Sequence, residues 1–249
     1  MLTNIRGTRG PYNFDQRSAA VRQRQIQFEQ GPVGYYLTPA ARTDALEIHQ
    51  ARLVNARFYL GQSPPDHWNA AIEFSRAARI LEMVVIYPHR DRLVRSITGE
   101  ENHDWLKRAL DARSEAVKYL RLNLESHKCD GGPYHELAVE LGNLAHVLIV
   151  LRDNYPGGPD SYAQLIALRS EAAAIFARQG DHYCAFHEYN RLVILFKQAL
   201  DHANCLAAAE AALRHARQHA GEKRIAPLVL GQLRQDLGNS RYLLEHGKK

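Results

Sequence analysis

The chain has 249 residues, 45% of them hydrophobic and 24% charged, an ordinary balance for a folded globular protein. Its formal charge of +5 is uneven. Residues 1–43 carry six arginines against Asp15 and Glu29, while the rest is close to neutral, which argues against a polyanion-binding body. Cys129, Cys184 and Cys205 form no CxxC pair, so neither a disulfide framework nor a zinc ribbon is expected, and reduced thiols in a cytoplasmic protein are the plain reading.

The first residues, MLTNIRGTRG, lack the apolar stretch of a signal peptide. The longest apolar runs, Val147–Leu151 and Leu192–Phe196, are too short for a membrane span. Ala, Leu, Arg, Glu and Gln dominate and alternating Val/Ile/Thr runs are scarce, so the expected class is all-α.

Residues 1–42 read as a basic, partly irregular arm with one short helix over 15–29. From 43 to 249 the prolines and the Gly-rich turns at 129–134 and 155–160 cut the chain into helices. These are expected at 43–61, 66–83, 88–98, 102–126, 133–153, 159–179, 181–201, 202–220 and 223–246. Asp66, Asp160 and Asp181 are expected N-caps, and Gly61, Gly180 and Gly221 expected left-handed C-terminal residues.

The helices resemble one another. Leu141-Gly142-Asn143-Leu144 matches Leu237-Gly238-Asn239-Ser240, and Tyr189-Asn190-Arg191-Leu192 lies between them, so the asparagines stand at intervals of 47 and 49. Leu53-Val54-Asn55 is an earlier candidate. Ala112-Arg113-Ser114-Glu115-Ala116, Leu168-Arg169-Ser170-Glu171-Ala172 and Phe74-Ser75-Arg76-Ala77-Ala78 vary a second pattern.

On these residues the chain resembles the tetratricopeptide repeat family over about residues 44–246. The family's marks are the Leu-Gly pair of the first helix and the paired small residues of the second. The match is degenerate: the period is about 40–50 residues instead of 34, Tyr189 stands where the glycine is expected, and the 88–98 helix is short. The resemblance implies a right-handed superhelical stack of about four hairpins with a C-terminal capping helix. It also implies a concave groove lined by the first helix of each pair.

The residue after the Leu-Gly pair faces that groove in the family. Asn55, Asn143, Asn190 and Asn239 are therefore the candidate ligand residues, able to bond a peptide main chain, with His146, Phe186 and Tyr242 shaping side-chain pockets. Arg6, Arg9, Arg17, Arg22 and Arg24 are candidate polyanion contacts. His215 and His219 have i, i+4 spacing, but without the glutamate of a zincin motif a solvated face is the better reading. Trp68 and Trp105 open two helices as packing anchors.

Serine-elbow, phosphate-loop and dinucleotide motifs are lacking, so no catalysis, cofactor or metal is expected. The expected function is a non-catalytic adaptor or assembly subunit binding a protein or peptide in its groove. The alternatives are a nucleic-acid-associated regulator acting through the arm and a structural subunit of a large complex.

Overall fold

The computed structural model describes residues 14–86, 88, 99–127, 132–155, 162–219 and 227–246. These hold nine α-helices and no strand. They are α1 (Phe14–Glu29), α2 (Pro39–Leu60), α3 (His67–Val85), α4 (Glu100–His127), α5 (Gly132–Asn154), α6 (Tyr162–Arg178), α7 (His182–Gln198), α8 (His202–Gln218) and α9 (Pro227–His246), with a 3-10 turn at Val33–Leu37. No helix among the described residues is long and apolar enough to cross a membrane. The helix expected at 88–98 lies, except for residue 88, outside the described residues, as do Asp160 and Gly221.

Helix starts follow side-chain chemistry. Thr38 Oγ1 accepts from Ala41 N at 3.2 Å with Pro39 at the first helical position. Asp66, Asp181 and Asp201 accept from Asn69 N, Cys184 N and Asn204 N at 2.9, 3.0 and 3.1 Å. Gly61 closes α2 in a right-handed conformation (φ −80°), not the left-handed one expected of it.

The α6–α7 and α7–α8 turns are the same device twice. Asp181 N donates to Phe176 O and Asp201 N to Phe196 O, each across a residue with positive φ, Gly180 (71°) and Leu200 (56°). In both turns the residue that closes one helix's carbonyls also caps the next helix, which leaves no slack between them.

Packing is sequential, each helix lying against the next, and the side chains sort the nine into two rows. Glu29 meets Arg79 at 3.3 Å (α1–α3), Ser75 donates to Glu140 at 2.7 Å (α3–α5), and Lys197 meets Asp236 at 2.7 Å (α7–α9). With His135 of α5 lying 3.9 Å from Asp181, the capping residue of α7, these contacts string α1, α3, α5, α7 and α9 into one row. Arg42 meets Glu101 at 2.9 Å (α2–α4) and Arg121 meets Glu171 at 2.6 Å (α4–α6). Ala173 of α6 shares an apolar cluster with Cys205, Ala209 and Ala212 of α8. Thus α2, α4, α6 and α8 make the second row.

Between the rows the apolar core runs as overlapping clusters, from Phe28, Tyr36, Ile48 and Trp105 through Leu120, Leu141 and Phe176 to Phe186, Ala209 and Leu233. Alanines at the contacts, such as Ala45, Ala77, Ala109, Ala116 and Ala172, let the helices approach closely. Trp105 is buried, with the Arg42 guanidinium 5.2 Å from its ring centroid, and Trp68 packs on the middle cluster.

Three buried arginines, one on each of α2, α4 and α6, tie the rows together. Arg113 of α4 reaches back with Nε to Glu82 of α3 (2.8 Å) and forward with NH1 to Glu140 of α5 (2.7 Å). Arg52 of α2 donates from Nε to Gln25 of α1 and from NH1 to Glu73 of α3, both at 2.8 Å. Arg169 of α6 binds Glu188 of α7 at 2.8 Å with NH1, while its Nε has no hydrogen-bond partner. The two carboxylates hold Arg113 above the ordinary arginine pKa even though burial opposes its charge.

Arg113→Met strands two carboxylates in the core and is expected to cost about 3–5 kcal/mol in urea unfolding, most of it recovered when Glu82 and Glu140 are made apolar as well. Leu200→Gly removes a left-handed side-chain penalty at a residue that is 76% exposed and should raise stability by about 1 kcal/mol. Gly180→Ala should lower it by a similar amount, read from the shift in melting temperature.

Candidate functional site

Burial places the repeat register one residue away from the asparagine match. Leu137, Glu140 and Leu144 of α5 are buried; so are Ala185, Glu188 and Leu192 of α7, and Leu233, Asp236 and Ser240 of α9. These three triplets stand forty-eight residues apart. Ala70, Glu73 and Ala77 are the same triplet on α3.

In this register Asn190 occupies the slot of Gly142 and Gly238, and Arg191 the slot of Asn143 and Asn239. The slot three residues after the acid thus reads Arg76, Asn143, Arg191, Asn239. One turn further on the same stripe come Arg79, His146, Ile194 and Tyr242. None of these eight is buried: Arg76, Asn143 and His146 are half-buried and Arg79, Arg191, Ile194, Asn239 and Tyr242 exposed along the α3, α5, α7, α9 row.

Electrostatically the slot depends on what lies behind it. Arg76 meets Glu73 at 3.2 Å, and Arg191 meets Glu188, two acids already held by Arg52 and Arg169. Both clusters therefore carry one surplus positive charge. Behind Asn143 the sign reverses, because Arg113 faces two carboxylates, and Asn143 Nδ2 lies 3.4 Å from Glu140 Oε1.

Of the residues singled out from sequence, Asn143, His146, Asn239 and Tyr242 share this stripe and Asn190 lies beside it. Asn55 and Phe186 do not. Asn55 is fully buried on α2, in the other row, where its Nδ2 donates to Glu73 at 3.2 Å. Phe186 is also fully buried, in the cluster shared by α6, α7, α8 and α9, where its ring contributes burial and no open surface. Arg191 and Ile194 escaped the sequence reading because matching asparagine to asparagine shifts α7 by one position, and Arg76 and Arg79 because Asn55 on α2 was matched to the series in place of α3. The even spacing of Glu140, Glu188 and Asp236 was the signal that corrects it.

The arm divides as well. Arg6 and Arg9 lie outside the described residues. Arg24 is engaged with Asp44 (2.6 Å) and Glu47 (2.7 Å), pinning α1 to α2. Arg17 is half-buried and Arg22 exposed. Arg22 borders an open cleft of about 370 Å³ lined also by Phe14, Ser18, Ala19, Gln23 and Tyr59. Among the described residues no group of three or more His, Cys, Asp or Glu is arranged to hold a metal ion.

No family model matches the chain, and no curated protein matches it in sequence. The crystal structure of BtubC (BKLC) from P. vanneervenii aligns at 16% identity over 94% of this chain and 85% of that one, with a TM-score of 0.38. A likeness this low carries no argument about fold or function.

The register makes a direct test. A Cβ on Gly142 would lie 3.3 Å from Glu188 Oε1 and 3.4 Å from Arg169 NH1, whereas one on Gly238 would meet nothing within 4 Å. Gly238→Ala should gain up to about 1 kcal/mol from helix propensity. Gly142→Ala should gain nothing or lose stability, because the ion pair behind it must shift. Equal gains at both sites in chemical denaturation would contradict the close approach of Gly142 to the Glu188–Arg169 pair.

Proposed function

We propose that the chain is a non-catalytic scaffold that binds a protein or an extended peptide along the accessible face of α3, α5, α7 and α9. In this reading the two rows form a right-handed, tetratricopeptide-like stack, and the stripe Arg76, Asn143, Arg191, Asn239 lies along its inner curve. One observation carries the proposal: Arg76, Asn143, Arg191 and Asn239 recur at one register on alternate helices, each three residues after a buried acid.

An amide at that slot offers one donor and one acceptor, the pair an extended backbone presents in return. The neighbouring His146, Ile194 and Tyr242 differ from helix to helix, which suits recognition of different side chains along one ligand. Arg24 is occupied in ion pairs, so the N-terminal helix reads as part of the scaffold more readily than as a polyanion contact.

Peptides selected on the immobilised protein from a random displayed library should lose at least about tenfold in affinity for the Asn143→Ala/Asn239→Ala protein, with its melting temperature unchanged. A fall of several degrees would make these amides structural. Unchanged affinity would move the ligand to another face.

A further inference from the structure

The seam between α7 and α8 holds four histidines. His182, the first residue of α7, and His215, in the last turn of α8, face each other with Nδ1 atoms 3.1 Å apart. At that distance one Nδ1 donates and the other accepts, so the contact needs opposite tautomers or a single shared proton and is lost when both Nδ1 atoms carry one. Tyr189 lies parallel to the His215 ring at 5.5 Å and encloses it.

His187 and His219 flank Tyr183, with ring centroids 4.5 and 5.2 Å from it, and Nε2 of His219 is buried without a hydrogen-bond partner.

Among the described residues, the carboxylates nearest the seam already have hydrogen-bond or ion-pair partners. Asp181 caps α7 and lies 3.9 Å from His135 of α5. Glu188 is shared by Arg169 of α6 and Arg191. On the α9 side Asp236 is held by Lys197 and Glu210 by Arg241. Arg191 and Arg214 add positive charge, and the Cys184 thiol, pushed up to about 12 by burial and by Asp181, stays neutral.

We propose that this histidine cluster is a proton-sensitive latch that frees the α8–α9 end of the stack from α7 in mild acid. Burial first, and then Arg191 against the opposing pull of Glu188, holds His187 below the ordinary 6.5; burial first, and then the neighbouring His182 ring and Arg214, holds His215 below it. The opened seam therefore binds more protons than the closed one once pH falls below 6.5, and closure weakens as pH falls toward the lowered values. His49, buried with Nδ1 3.0 Å from Ala77 O, has the same sign at the opposite end of the stack, so the location of the opening is what identifies the latch.

Hydrogen exchange on the full chain, corrected for intrinsic rates, should show amides of α8 and α9 opening at least about tenfold more at pH 5.5 than at pH 7.5, before those of α4 and α5. Replacing His182, His187, His215 and His219 together by Gln should remove that local difference, while His246→Gln should leave it. Opening spread evenly over the helices, or confined to α2 and α3, overturns the proposal. So does the same α8–α9 response in the quadruple variant. Should that variant fail to fold, the wild-type exchange map decides alone.

Discussion

The constraint on which the rest of the structure depends is the buried guanidinium placed between two rows of helices. An arginine inside a protein is tolerated only when its donors are met by acceptors of fixed geometry, and its planar fork can meet two partners in different directions. Arg113 does this in full, reaching Glu82 on the helix before α4 and Glu140 on the helix after it. Such a contact contributes little net stability over an apolar contact of equal size, since desolvation offsets attraction. What it supplies is register. Alanine-rich helix faces slide past one another at small cost, whereas a guanidinium shifted by one turn leaves charges unmet in the core.

The same clamps shape the accessible face. Because Glu73 and Glu188 are already bonded from behind by Arg52 and Arg169, the arginines in front of them, Arg76 and Arg191, carry surplus charge toward solvent. Arg113 uses two acids, and the slot in front of Glu140 is filled by an asparagine. The polarity of the proposed binding surface is thus coupled to the ion pairs that align the helices. The last helix differs in a related way: Arg234 and Arg241 of α9 occupy the slots of the buried Phe186 and Val193 of α7, the polar substitution expected at the end of a stack.

The α6–α9 region combines two opposite devices. Its α6–α7 and α7–α8 turns are short and closed by a residue that also caps the following helix. Its α7–α8 seam is lined with imidazoles and tyrosines, groups whose pairing depends on protons. The His182–His215 contact is the part of this seam that an added proton changes.

Local chemistry was readable from the residues. Helix class follows from composition, and the starts at Asp66 and Asp181 follow from a carboxylate's ability to accept a first-turn amide. The left-handed turn at Gly180 follows from the lack of a Cβ. Two-row packing, the register along α3, α5, α7 and α9, and the fate of each candidate ligand residue required coordinates. Burial is a property of neighbours: Asn55 and Asn143 look alike in a string, yet one is sealed behind Glu73 and the other stands at the surface. Arg113 and Arg169 stand in the sequence only as members of a repeated pattern, because nothing there reveals a carboxylate arriving from a helix some twenty to thirty residues away. Pairing across such separations is decided by which faces the chain brings together, so it belongs to the tertiary structure alone.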